Sequence, residues 1–333
     1  MRGRPWCPAA AIFGAVAHPM LSRMAERARR SLGTSELRRQ LQQLTERFDA
    51  LQATVQTIAP AAVSSAVASR PRTVYLGDHT ALVATVDGPM LLVDTRDSVV
   101  APTLLLHGMW ESTVTAWLRD ALHPGQVFVD VGANVGYYSL LGASLVGPDG
   151  HVVGVEAHPH LAELLRRNVV LNDVRNVSAF HLAAWSGPDQ LRFHLRTHFA
   201  ANSSVGSLGA EGLRGLDDTE QQVVVPAAAL DDLLGGVPQL ASRGVDAVKV
   251  DVEGAELRVF HGLRRTIEGS PDITVLLEWS PGQLQMVGDS PGELVELLQG
   301  FGFGFRLVED NLAPVDAARL LSVPYGNVVA SRR

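Results

Sequence analysis

Residues 127–136 read Val-Phe-Val-Asp-Val-Gly-Ala-Asn-Val-Gly, and residues 248–256 read Val-Lys-Val-Asp-Val-Glu-Gly-Ala-Glu. Each is a short β-branched run that ends in carboxylates and glycine, the pattern of a buried parallel strand opening into a loop. In an open α/β sheet, ligands sit just beyond the carboxyl ends of the strands. The two stretches are therefore expected to line one pocket, and that pocket is acidic. Its acidity disfavours a pyrophosphate and favours a cationic ligand.

Around these runs, strand and helix patterns alternate. Strands are expected at Val152–Val155, Val177–His181, Ala247–Val252 and Ile273–Glu278, with closing strands at Phe303–Glu309 and Gly326–Ser331. Helices are expected at Glu111–Leu122, Gly136–Val146, Pro159–Leu171, Ala255–Glu268 and Pro291–Gly300. Such alternation specifies a doubly wound, mostly parallel α/β sheet. Ahead of it, Thr73–Leu76, Ala81–Val86 and Met90–Val93 alternate with Gly-Asp and Asp-Gly turns and read as a β-rich lead-in.

The N-terminal part divides into three. Residues 1–33 read as a disordered leader: Arg2 and Arg4 precede an apolar stretch, but Pro5 and Pro8 break it, and Met20 and Met24 are alternative starts. Residues 34–60 carry Leu37, Leu41, Leu44, Phe48, Leu51, Val55 and Ile58 in a heptad seam, which suits either a dimerising coiled coil or a helix packed on its own domain. Residues 61–72 read as a linker. The lead-in then occupies 73–126 and the main domain 127–333.

Composition narrows the classes. With 333 residues, 46% hydrophobic and 19% charged, the chain is of globular type. A net charge of −7 gives no general attraction to nucleic acid or to an anionic membrane. Nothing approaches the roughly 18 apolar residues of a membrane span. The single cysteine, Cys7, excludes an intramolecular disulfide and fits a reducing, cytoplasmic setting. Of 28 basic residues only Lys249 is a lysine, and it falls inside the second motif. A compact ammonium and a broad guanidinium are not interchangeable in a tight site.

The chemistry is read from four strand ends. In Asp130-Val-Gly132-Ala-Asn134-Val-Gly136, a dinucleotide fingerprint would want glycine where Asn134 and Tyr137 stand, and Asp130 would repel a phosphate. The same acid attracts an ammonium or a sulfonium, both of which S-adenosylmethionine carries. Glu156 ends the next strand, where a carboxylate accepts the hydroxyl protons of an adenosine ribose; the competing reading is a cap for the helix at Pro159. Strand alternation places Lys249, Asp251 and Glu253 on one side of the third strand end. Methyl transfer to a hydroxyl requires a proton to leave, so Asp251, then Glu253, are the candidate general bases. As hard oxygen ligands they also suit a divalent cation, and as a plain Lys–Asp pair with a helix-capping Glu253 they need no function. Glu278 and Trp279 end the fourth strand and are candidates for acceptor binding. His151, His158, His181, His194 and His198 lack metal-ligand spacing and are read mostly as surface or loop residues.

These residues are together familiar. Phe-Val-Asp-Val-Gly-Ala-Asn-Val-Gly-Tyr-Tyr-Ser, Val-Glu-Ala-His-Pro, Leu-Leu-Arg-Arg-Asn-Val-Val-Leu-Asn, Ala-Ala-Trp-Ser and Val-Lys-Val-Asp-Val-Glu-Gly-Ala-Glu closely resemble the FkbM family of methyltransferases. The resemblance runs from about Thr73 to the C-terminus. It implies a Rossmann-like class I fold with a seven-stranded sheet whose last strand is antiparallel, S-adenosylmethionine as donor, and O-methylation of sugars or polyketide-type natural products. It further implies that Asp130, Gly132, Asn134 and Gly136 hold the methionine end, that Glu156 takes the ribose, and that Ala183, Ala184 and Trp185 lie near the adenine. Gly108-Met-Trp-Glu111 resembles the family's segment that folds over the cofactor. Ala157 departs from the family's usual proline. The resemblance does not reach the heptad helix.

The expectation is thus an S-adenosylmethionine-dependent O-methyltransferase acting on a small hydroxylated metabolite, with a possible homodimer through residues 37–58. The rival readings are a nucleotide-binding oxidoreductase, against which Asn134 and Asp130 speak, and a non-catalytic dimeric interaction protein.

Overall fold

Strands buried on both faces can only be covered by helices on both sides, and the chain alternates accordingly. The computed structural model describes residues 73–214, 217–241 and 243–332, which belong to a unit beginning at Arg70. The leader, heptad helix and linker expected within 1–72 lie outside the described residues.

The lead-in forms β1 (Thr73–Gly77), β2 (Thr80–Ala84) and β3 (Met90–Asp94), an antiparallel three-stranded sheet. Helices α1 (Val100–His107) and α2 (Ser112–Ala121) follow. The main sheet then begins with β4 (Val127–Val131), α3 (Tyr137–Val146), β5 (His151–Glu156), α4 (Pro159–Leu171) and β6 (Val177–His181). After an insert come β10 (Ala247–Val250), α6 (Glu256–Gly262), α7 (Arg264–Gly269), β11 (Thr274–Trp279), α8 (Pro281–Met286), α9 (Pro291–Gly300), β12 (Gly304–Leu307), β13 (Ala313–Val315), α10 (Ala317–Leu321) and β14 (Gly326–Ser331). The insert contains β7 (Ala183–Trp185), β8 (Asp189–Arg196), β9 (Glu220–Ala229) and α5 (Leu230–Gly235).

The main sheet has eight strands in the order β13-β12-β14-β11-β10-β4-β5-β6. β11, β10, β4, β5 and β6 pair in parallel, while β14 runs antiparallel to both its neighbours. The expected seven strands are therefore present, and β13 adds an eighth by pairing antiparallel on the β12 edge. The chain winds outward from β4 through β5 to β6, then returns to build β10 and β11 on the other side of β4. The crevice at such a reversal is where open α/β sheets bind ligands.

Alternation sorts the strands into two cores. Val127, Val129 and Val131 join Val153, Val155, Val248 and Val250 against Leu257 and Phe260 of α6, Ile267 of α7 and Leu298 of α9. Phe128, Val152 and Leu276 face the other way, against Leu104, Leu118, Leu140 and Leu164 of α1–α4 and against Leu91 of β3. Every residue of β4, β5 and β10 is buried, which explains why these runs do not alternate in polarity.

The Asn-Val-Val-Leu-Asn run has a structural use. Asn168, fully buried on α4, accepts from the Leu92 amide (2.7 Å) and donates to the carbonyls of Leu92 (3.1 Å) and Val135 (2.8 Å). One turn on, Asn172 accepts from the Met90 amide and donates to its carbonyl. Two side chains spaced i,i+4 thus serve as a neighbouring strand for the edge of β3, and they tie the lead-in sheet to the main domain.

Some elements differ from expectation. The helix expected over Ala255–Glu268 is two helices meeting at Leu263, and a Cβ at Gly262 would stand 2.0 Å from the Trp185 carbonyl oxygen. The insert's sheet, ordered β7-β9-β8, was not foreseen. Strand β8 is mostly polar and charged with one buried residue, and the valine run of β9 is interrupted by Pro226, which weakens a strand's usual signature in both. No helix among the described residues is long and apolar enough to cross a membrane.

Candidate active site

A cavity of about 320 Å³ lies at the carboxyl ends of the parallel strands. Its lining includes Gly132, Asn134, Glu156, Ala183, Ala184, Lys249, Asp251, Glu253, Glu278 and Glu111, so ten of the residues expected in the site meet there. Asp130, Gly136 and Trp279 do not line it.

At one end the main chain makes the site. Glu156 Oε2 accepts the Asn134 amide (2.8 Å) and Oε1 accepts the His158 amide (2.7 Å). Burial raises the Glu156 pKa to about 7, against the pull of those two amides. Asn134 sits in the left-handed region at φ 52°, turning its N–H toward the acid. Gly132, at φ 79°, has no room for a side chain: a Cβ there would lie 1.7 Å from the Asp251 carbonyl oxygen. The glycine is thus required by contact between the β4 and β10 loops. Gly136 serves packing, since its Cβ direction is filled by Leu165. The helix cap belongs to His158, whose Nδ1 accepts from His160 (3.2 Å), which leaves Glu156 free to face the cavity. His158 and His151 are buried, against the expectation that most histidines lie at the surface.

Beside Glu156 the insert supplies an apolar wall. Ala183 of β7 and Phe193 of β8 pack with Val225 and Ala227, and Ala157 and Val205 close on them. Such a wall suits a flat heterocycle, and the neighbouring carboxylate suits the ribose attached to it.

Asp130 lies behind the cavity. It is fully buried, Oδ2 accepts from Ser139 Oγ (2.6 Å), and burial raises its pKa while Lys249 offsets part of that shift. It therefore acts on the cavity only through its charge and its neighbour Lys249. The direct contact that the resemblance implies is not what the structure shows. Burial works against the Lys249 ammonium, but Asp251, Asp130 and Glu111 outweigh it and hold the pKa above its ordinary value. Lys249 Nζ donates to Asp251 Oδ2 at 2.6 Å and lies 5.0 Å from the centre of the Tyr138 ring. Tyr138 in turn donates to Glu111 Oε2 (2.8 Å), which joins the segment entering α2 to α3. Glu111 is the N-cap of α2, at φ 36°.

At the other end, side chains from distant segments converge. Asp251, Glu253 and Glu278 each offer an oxygen within 4.8 Å of the others. Burial, and after it Asp251, raises the Glu253 pKa to about 8. Burial, with Asp251 and Glu253, drives Glu278 well above the carboxylate range, and Tyr325 donates to it at 2.7 Å. These oxygens have the chemistry of a hard-cation site, but clustering alone does not identify an ion, and Lys249 already answers Asp251. Glu256, on the same motif, is buried: its Oε1 accepts from the Val252 and Gly254 amides and fixes the turn that carries Glu253.

Trp279 is a correction. It is fully buried and its Nε1 donates to the Val323 carbonyl (3.0 Å), because alternation along β11 turns it away from Glu278 and into the core. The aromatic residues lining the cavity are Trp110, Tyr137, Tyr138, Trp185, Phe193 and Tyr325. Of these, Tyr325 had no sequence signal, nor did Asn202, Ser204 and Gln283, which hold Glu253. The sequence suggests Ala200–Thr219, a Gly/Ser-rich loop, as a source of acceptor contacts without singling out a residue, and Asn202 and Ser204 belong to it.

Comparisons with known proteins agree with this frame. The family described as Methyltransferase FkbM domain matches residues 130–307, more than half of the chain. The family of protein-L-isoaspartate(D-aspartate) O-methyltransferases matches residues 45–203. A 31-O-demethyl-FK506 methyltransferase, FkbM, from Streptomyces tacrolimicus is 29% identical over 214 residues, 57% of this chain and 77% of that protein. An arsenite methyltransferase from Halobacterium salinarum is 44% identical over 57 residues, 17% of this chain and only 15% of its own length. Among solved structures, Aeropyrum pernix fibrillarin with S-adenosyl-L-methionine aligns at a TM-score of 0.38 and 12% identity, covering 78% of this chain and 99% of that one. By the match over residues 130–307, this chain belongs to the FkbM-domain family of methyltransferases.

Proposed function

We propose that this protein transfers a methyl group from S-adenosylmethionine to a hydroxyl of a small metabolite, a sugar or a polyketide-type natural product. The observation that carries the reading is Glu156: a buried carboxylate held by two main-chain amides at a parallel strand end, facing a cavity with an apolar wall beside it. Its remaining lone pairs suit the two ribose hydroxyls, and the apolar wall of Ala183 and Phe193 suits the adenine. When bound, S-adenosylmethionine supplies an electrophilic methyl group on a positively charged sulfur. Carboxyl oxygens of Glu111, Asp251, Glu253 and Glu278 line the cavity that would receive that charge, and Lys249 is the one cationic side chain among its described lining residues.

The acceptor hydroxyl must lose its proton as its oxygen gains the methyl group. Asp251 is the first candidate from its place in the motif, but its Oδ2 is already engaged by Lys249 Nζ at 2.6 Å. Glu253 has no cationic partner, and its pKa of about 8 lies near a neutral working pH. We therefore assign proton removal to Glu253. Lys249 holds Asp251 in place through its hydrogen bond, and Trp110 and Glu111 help cover the cavity against water. The product is the methyl ether, with the hydroxyl proton on Glu253.

Titration calorimetry with S-adenosylmethionine tests the first half of this reading, and absence of binding would overturn it. Incubation with radiolabelled donor and a panel of hydroxylated metabolites, with and without a chelator, tests the second half and any need for a metal.

A further inference from the structure

The carboxylates at the acceptor end are held in two different ways. Asp251 has an ammonium against it. Glu253 is held by neutral amides: Asn202 Nδ2 donates to both of its oxygens, at 3.2 and 3.3 Å, and Gln283 Nε2 donates to Oε2 from the other side. Its main chain is fixed as well, with the Ser204 hydroxyl donating to the Glu253 carbonyl at 2.7 Å. Asn202 and Ser204 lie in the segment that follows β8, whereas Gln283 lies on α8. Segments about 50 and 30 residues away in the chain thus meet on one side chain.

Two features mark this as more than incidental packing. Glu253 occupies the left-handed region at φ 55°, uncommon for a residue with a side chain. Such a conformation persists only where surrounding structure over-determines it. Gln283 Oε1 is buried without a hydrogen-bond partner among the described residues. Turning that amide over would set an oxygen against the carboxylate, so its orientation follows Glu253 at the expense of its own oxygen.

We infer that Asn202 and Gln283 are positioning residues that aim Glu253 across the acceptor end of the cavity, which makes the segment after β8 a working part of the site. The inference deepens the assignment of Glu253 as base and rests on it. Neutral donors hold the carboxylate in one direction without attaching a counter-charge that would weaken it as a base. The other charged groups around Glu253 are Asp251 and Glu256 on its own loop, Lys249 on β10 and Glu278 on β11.

The test needs no turnover and no acceptor. The full chain is labelled with ¹³C-glutamate, the Glu253 carboxyl resonance is assigned by its loss in Glu253→Gln, and its titration is followed from pH 5 to 10. The expected midpoint is about 8. Removing a donor to the charged form moves the midpoint upward, by roughly one pH unit in Asn202→Ala and in Gln283→Leu. Asn202→Asp, which sets a second carboxylate there, moves it further. Unmoved midpoints in folded variants overturn the inference, since a purely architectural Asn202 would change the melting temperature and leave the titration alone. Should Asn202→Ala fail to fold, Gln283→Leu tests the same clamp from the opposite side. Failure of S-adenosylmethionine to bind would sink the proposed function and leave this measurement intact.

Discussion

The two ends of the cavity are built by different means. At the end proposed for the cofactor, Glu156 is fixed by the main-chain amides of Asn134 and His158, in the loops that follow β4 and β5, within a crevice created by the strand order itself. At the acceptor end, Glu253 is fixed by side chains from the insert and from α8, and Glu278 by Tyr325 from the loop before β14. Main-chain donors are present whatever the side chains, so the first end tolerates sequence change around it. The second can be reshaped by replacing single side chains. A fold that keeps one cofactor while its acceptors vary has reason to divide its pocket in this way.

The sharpest way to break this comparison is Glu253→Gln. Loss of the proposed base should lower kcat by about 10²–10⁴-fold while the S-adenosylmethionine dissociation constant stays within a few-fold. Steady-state kinetics on an accepted substrate, with calorimetry alongside, reads both, and an unchanged kcat would return the role to Asp251. Glu156→Ala should do the reverse. Two charge-assisted hydrogen bonds are lost, so the dissociation constant should rise by roughly 100-fold, and equal binding by the variant would dissolve the distinction between the ends.

The comparison can be sharpened through stability too. Asn168→Ala leaves the Leu92 amide and the Leu92 and Val135 carbonyls without their partner, in a residue that is fully buried. The expected cost is about 2–4 kcal/mol in urea denaturation, with the acceptor end unaffected once the chain is folded. A further effect is on pH dependence. Glu156, Glu253 and Glu256 have folded pKa values of about 7, 8 and 7, above their ordinary value of 4.5. Between these limits the unfolded chain has released protons that the folded chain keeps, so the ligand-free protein should lose stability as pH rises from about 4.5 to 8. Melting temperatures across that range check the sign; a rise would mean that other groups dominate.

Much of the local geometry around Gly132 and Glu156 was legible from residues 127–136 and from Glu156, because a β-branched run followed by acid and glycine states how the strand opens into its loop. Lys249, Asp251 and Glu253 were legible as a motif, with the Lys–Asp pair among its readings, but the placing of Glu253 was not: the strand ends at Val250, and Glu253 is set by a left-handed turn instead of by strand alternation. Trp279 illustrates the limit. It adjoins Glu278 in sequence, yet the pleat sends the two to opposite faces.

The amino-acid sequence alone determined the alternation of strands and helices in the main sheet, the buried character of β4, β5 and β10, and the acidity of the pocket, because these follow from local composition and periodicity. Only the tertiary structure decided that Asp130 lies behind the cavity, that Asn168 stands in for a strand, and that Asn202, Gln283 and Tyr325 reach the carboxylates. Those contacts join residues tens of positions apart, and short-range pattern carries no record of which distant side chains the folded sheet will bring together.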